Sequence, residues 1–257
     1  MLSILVSLLV STITFFGVTR VFDRISGVLL GLVAGGVVYY LIARRVRRRV
    51  EAASKEVEAH TKGQRFEKAI QAMEALRPLG RWQPFLRAST EGQIGMLRYA
   101  YLRDFEGARP HLAQAHPWLW QAHAMLGAGH FKKRRFDEME KVFEKATRRN
   151  KKEGLLWATY AWCQWKRGLR DPALQIMARA RQVLPSDERL KTMQIALQNG
   201  KKLKMHSYGA EWLALHLETP AGAPAVPPGG PRPPRYTPPL RVYGGGRAVV
   251  RRGVLPN

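Results

Sequence analysis

Cysteine occurs once in the 257 residues, at Cys163, so the chain can form no intramolecular disulfide and no cysteine-based zinc or iron–sulfur centre. Beside Trp162 in a helical pattern, it reads as a buried structural thiol, compatible with a reducing compartment. Acidic residues are scarce as well: 19 stand against 43 lysines and arginines, a net charge of +24. No paired acids, no nucleophile with a base and no glycine-rich phosphate loop stand out, so no catalytic residue and no cofactor are assigned. Gly244, Gly245 and Gly246 have neither a strand before them nor a helix after. His116, His123 and His130 recur every seven residues, but a helix would set the last two about 10 Å apart, too far to share a metal, and no metal site is assigned.

Long hydrophobic runs are confined to residues 1–43. Residues 1–19 and 25–43 each hold 19 residues without a charge, enough to cross roughly 30 Å of hydrocarbon at about 1.5 Å per residue. Five residues separate them, which predicts a transmembrane hairpin with spans at about 2–19 and 25–43. A secretory signal is the competing reading of the first run, but the basic start and small-residue cleavage site it needs are missing. The cluster Arg44, Arg45, Arg47, Arg48 and Arg49 follows the second span, and the positive-inside bias puts that side in the cytoplasm. Tyr39 and Tyr40 sit near this interface. Gly27, Gly31 and Gly35 line one strip of the second span, suited to packing on the first span or to an oligomer through a second copy.

The middle of the chain is patterned for paired helices. Trp157, Tyr160, Ala161, Gln164 and Trp165 share one side of a helix that Gly168 breaks. Asp171 is placed to cap the next helix, Pro172 fits its first turn, Ala173, Met177 and Ala180 face inward, and Pro185 closes the unit. Stepping back 34 residues from Ala161, Ala173, Met177 and Ala180 gives Gly127, Met139, Phe143 and Ala146, with Arg134 in place of the turn glycine. Gly95, Tyr99, Phe105, Ala108, Leu112 and Ala115 mark a third copy; Gly63, Phe66, Ala69, Met73 and Leu76 suggest a fourth. In signature and period, residues 51–185 resemble a tetratricopeptide repeat (TPR) protein.

The resemblance implies an α-solenoid whose concave groove is lined by the first helix of each pair. The groove positions are then Ala158, Trp162, Trp165 and Lys166, preceded by Ala124, Ala128, Phe131 and Lys132, with Gln93, Leu97 and Tyr101 from the weaker copy. Trp165 and Phe131 are equally suited to packing between repeats. Such a groove fits an amphipathic helix or an extended peptide with acidic residues. The asparagines of the family's clamp for C-terminal carboxylates are missing from the matching helices.

The expected fold is therefore all-α: a hairpin over 1–43, a basic juxtamembrane helix over 44–62, repeats over 63–187 and capping helices over 188–218. Trp212 and Leu215 would cover the exposed end. Residues 219–257 hold ten of sixteen prolines, seven glycines, six arginines and no acid, which predicts a disordered basic tail. The layout is similar to envelope-biogenesis scaffolds beside haem or lipopolysaccharide synthesis. It implies a multi-pass protein of the bacterial inner membrane, not an enzyme, that binds a protein partner in the cytoplasm. The alternative is anionic-lipid or nucleic-acid binding through the basic edges and the tail, nucleic acid being the less favoured.

Overall fold

Both uncharged runs form helices, and the second does not stop at the end of its apolar stretch. In the computed structural model, which describes residues 2–20, 23–82 and 85–218, α1 spans Leu2–Thr19 and α2 spans Arg24–Lys62. The expected juxtamembrane helix is thus the continuation of the second span, one helix of 39 residues. Both α1 and α2 contain stretches long and apolar enough to cross a membrane. The described residues are all-helical.

The glycine strip of α2 explains how α1 lies against it. A Cβ on Gly31 would stand 2.9 Å from the Ser11 carbonyl oxygen, and one on Gly35 3.0 Å from that of Ser7. The strip therefore faces the first span within the same chain, while a Cβ on Gly36 would meet nothing within 4 Å. Past the apolar stretch, α2 buries Val46, Val50, Val57 and Thr61 on one face and exposes its arginines on the other. The helix α3 (Phe66–Glu74) packs against α2, with Ala69, Ile70 and Met73 buried. A 3₁₀ turn, Arg77–Arg81, leads on to α4 (Leu86–Leu97), inside which the chain divides into two compact units, at Ser89 and Thr90.

The second unit is a run of paired helices. A π-helical turn, Arg98–Leu102, joins α4 to α5 (Phe105–Ala113); α6 (Trp120–Lys132) pairs with α7 (Phe136–Arg149), and α8 (Gly154–Lys166) with α9 (Arg170–Val183). Then α10 (Glu188–Gln198) packs on α9 and α8, and the short α11 (Gly209–Leu213) follows. Equivalent positions have equivalent surroundings. Gly95 meets Leu112 and Gly127 meets Phe143, each at distances a Cβ could not tolerate, so within these pairs the helices close on a glycine. Ala161 and Met177, at the same offset in α8 and α9, are fully buried.

The turns repeat as well. Gln64, Arg134, Gly168 and Gly200 all lie in the left-handed region, each followed by a residue whose N–H reaches back five positions, to the carbonyls of His60, His130, Gln164 and Ala196. This helix-ending bond satisfies a carbonyl that would otherwise lack a partner. The sequence pattern needed one adjustment. Asp171 does not cap α9, because the helix starts at Arg170 and takes Asp171 and Pro172 into its first turn. Asp104 and Asp187 do cap, accepting from Gly107 N–H at 2.8 Å and Arg189 N–H at 2.9 Å. Neighbouring pairs are joined by Phe143 stacked on Tyr160 at 5.2 Å and by a two-bond Arg179–Glu144 ion pair. The expected tail, 219–257, lies outside the described residues.

Candidate partner-binding face

Lys132 and Lys166 are exposed, Phe131 and Trp165 half-buried, and Tyr101, Ala128, Ala158 and Trp162 buried. The expectation that all eight residues line an open groove is thereby corrected for the last four. The reason lies in α6 and α8 themselves. With α5 and α7 around α6, and α7, α9 and α10 around α8, both helices are covered on nearly every side, and an alanine at any phase of their interior is enclosed. Of the other positions considered, Gln93, Leu97 and Ala124 are buried too.

Trp162 is enclosed for a second reason. Its ring meets Phe131 at 5.7 Å and 62°, and Trp212 at 5.1 Å and 70°, both edge-to-face, with Lys166 Nζ 5.4 Å from the ring centroid. Trp212 belongs to the C-terminal segment 203–218. Instead of covering the end of the stack beyond α10, this segment runs back across α8 to the π-helical turn near its beginning. There the Tyr99 hydroxyl donates to the Leu215 carbonyl at 2.7 Å, and His216 Nε2 lies 3.0 Å from the Ala100 carbonyl. A carbonyl only accepts, so that imidazole nitrogen carries the proton. The His216 ring also tilts against Tyr99 at 5.7 Å. Within the segment, Trp212 Nε1–H donates to Glu218 at 3.0 Å, while Leu203, Met205 and Leu215 are buried.

The face thus recognises a polypeptide with one aromatic slot and two contacts to main-chain carbonyls. Tyr99 and Ala100 offer the contacts, and Trp162 the slot. One donor is left over: the buried Trp162 Nε1–H has no hydrogen-bond partner among the described residues. Burial pushes the Tyr99 hydroxyl well above its ordinary range, so it stays a neutral donor, and does the same to the Cys163 thiol, which is therefore inert. At the rim, burial together with Arg103 and Lys133 holds the Lys132 ammonium below its ordinary value.

The five arginines expected at the membrane surface, Arg44, Arg45, Arg47, Arg48 and Arg49, are all exposed on α2. Among the histidines, His123 Nε2 lies 3.2 Å from the His116 carbonyl, and His130 packs edge-to-face on Phe105 at 5.4 Å. No group of three or more metal-ligating side chains is gathered among the described residues.

The site residues that sequence reasoning missed are Tyr99, Leu215 and His216. Tyr99 was visible only as a repeat position, and its bond to Leu215 spans 116 residues, a separation at which periodicity carries no information. Set against known proteins, the chain matches no family model, no curated protein and no solved structure.

Proposed function

We propose that this chain is a membrane-anchored TPR scaffold that captures a segment of a partner protein on the face carrying Tyr99 and Trp162, where its own residues 203–218 act as an internal occupant. The turn spacing of 34 residues between Arg134 and Gly168 supports the repeat reading. The two N-terminal helices support a multi-pass anchor, and the arginine side of α2 supports placing the repeats at the cytoplasmic face of a bacterial inner membrane. Envelope assembly suits such a layout.

The observation that carries the reading is Trp212 seated on Trp162 beside the Tyr99–Leu215 hydrogen bond. A partner with an aromatic anchor and an acceptor for the unpaired Trp162 N–H would replace the segment contact for contact and gain one hydrogen bond. Exposed Lys132 and Lys166 at the rim favour an acidic flank on that partner.

A labelled peptide of residues 203–218 added in trans tests this. It should bind the full-length Trp212→Ala protein, whose own segment has lost its anchor, and bind Trp212→Ala/Trp162→Ala at least about tenfold more weakly, as the loss of a buried aromatic contact requires. Equal binding to both proteins, or to neither, overturns the reading. A second reading, anionic-lipid or nucleic-acid binding, is favoured by the exposed run Arg148, Arg149, Lys151 and Lys152. Steep loss of binding with salt would identify it.

A further inference from the structure

Two large aromatic side chains of the first unit are exposed without an evident reason. Trp82 is 37% exposed and Phe85 61%, whereas Leu79 and Leu86 close by are buried. Phe85 also takes a left-handed backbone conformation, φ 68°, which a bulky residue adopts only where its surroundings require it. The chain around them folds back on itself: a Cβ on Gly80 would stand 2.8 Å from Arg87 Cβ and 3.3 Å from its backbone nitrogen.

The position of these aromatics relative to the spans follows from one hydrogen bond. The Ser3 hydroxyl, at the start of α1, donates to the Trp82 carbonyl. On α2, Gly27 faces Phe15, Gly31 faces Ser11 and Gly35 faces Ser7. A further step of four on each helix brings Tyr39 level with Ser3. Tyr39 and Tyr40 are themselves exposed, and Arg44 begins the basic cluster about one turn beyond them. Trp82 therefore sits at the height where the apolar part of α2 gives way to arginine. Arg81 and Arg87 flank it, both exposed.

We infer that Trp82 and Phe85 insert into the headgroup region of the membrane that α1 and α2 cross, with Tyr39 and Tyr40 at the same level and anionic lipid headgroups neutralising Arg81 and Arg87. Aromatic rings with a polar edge favour this zone, and basic side chains favour the anionic leaflet. A third fixing point results besides the two spans, and it holds the segment between α3 and α4 against the bilayer. The inference rests on the reading of α1 and α2 as membrane spans.

The test uses the full chain reconstituted in mixed phosphatidylcholine–phosphatidylglycerol vesicles. The spans hold no tryptophan, so the emission lost on Trp82→Phe reports on this residue alone. That difference emission should fall about twofold with lipids brominated near the headgroup and resist aqueous iodide, as an interfacial indole does. Quenching by iodide with no response to the brominated lipid overturns the inference. Flotation of the same vesicles after an alkaline wash separates the two readings: protein that floats with Trp82 unquenched defeats only the inserted aromatics, whereas protein that no longer floats defeats the spans themselves.

Discussion

Arg134 and Gly168 occupy the same turn one repeat apart, at φ 56° and 83°. An L-residue in this conformation is strained by its own Cβ against the backbone, by roughly 1–2 kcal/mol, and glycine is not. Arg134→Gly is therefore expected to raise stability by about 1 kcal/mol and Gly168→Ala to lower it by about the same. Midpoints of urea unfolding in detergent check both. A Cβ on Gly168 would meet nothing within 4 Å, so the expected loss is purely one of backbone conformation. This difference also marks how far single residues could be read. Gly168 announced its turn through its identity; Arg134 gave no sign, and only counting 34 residues located it.

Among the elements, the hairpin of α1 and α2 was legible from charge-free length, and its packing from three glycines at intervals of four. Which partner the strip faces was not legible, because a glycine face is equally complementary to a neighbour in the same chain and to a second copy. With Ser7 and Ser11 against it, a side chain on the strip must push α1 away. Gly31→Leu should separate the spans and make α1 accessible to protease or lost from crosslinks to α2, whereas Gly36→Leu, with open space at its Cβ, should leave both unchanged. Equal behaviour of the two variants would show that the strip does not hold the hairpin. Segment 203–218 escaped the sequence for a different reason. Its amphipathic pattern marked it as a covering element, but what it covers is decided by Trp162 and Tyr99, which lie on elements far back in the chain.

At the scale of the whole molecule, acid acts on a chain that already carries a net charge of +24. Burial holds His116, His123 and His130 below their ordinary value of 6.5, so the folded form of each is neutral where the unfolded chain already takes up protons. Their contribution is complete above the ordinary value and is lost as pH falls through it and below. A second loss begins below 4.5, where the Arg179 hydrogen bond and charge keep the Glu144 carboxylate ionised in the fold. For Glu140, burial works the other way, but Gln164 and Arg167 outweigh it and hold the carboxyl low as well. Urea midpoints measured from about pH 8 down to about pH 5 should fall mainly over the histidine range. A flat profile would mean these imidazoles ionise alike in both states.

The unbroken run of α2 has a mechanical consequence. From Arg44 to Lys62 the helix stands beyond the apolar stretch for about 28 Å with no proline or loop to act as a hinge. When bilayer thickness changes, a span adjusts by tilting, and a tilt of about 10° swings the far end of this arm by about 5 Å. Val57 and Thr61, buried near that far end where α3 packs, travel with it. The lipid environment is thereby geared to the first helical hairpin, and a thicker or thinner membrane re-aims it without any ligand being bound.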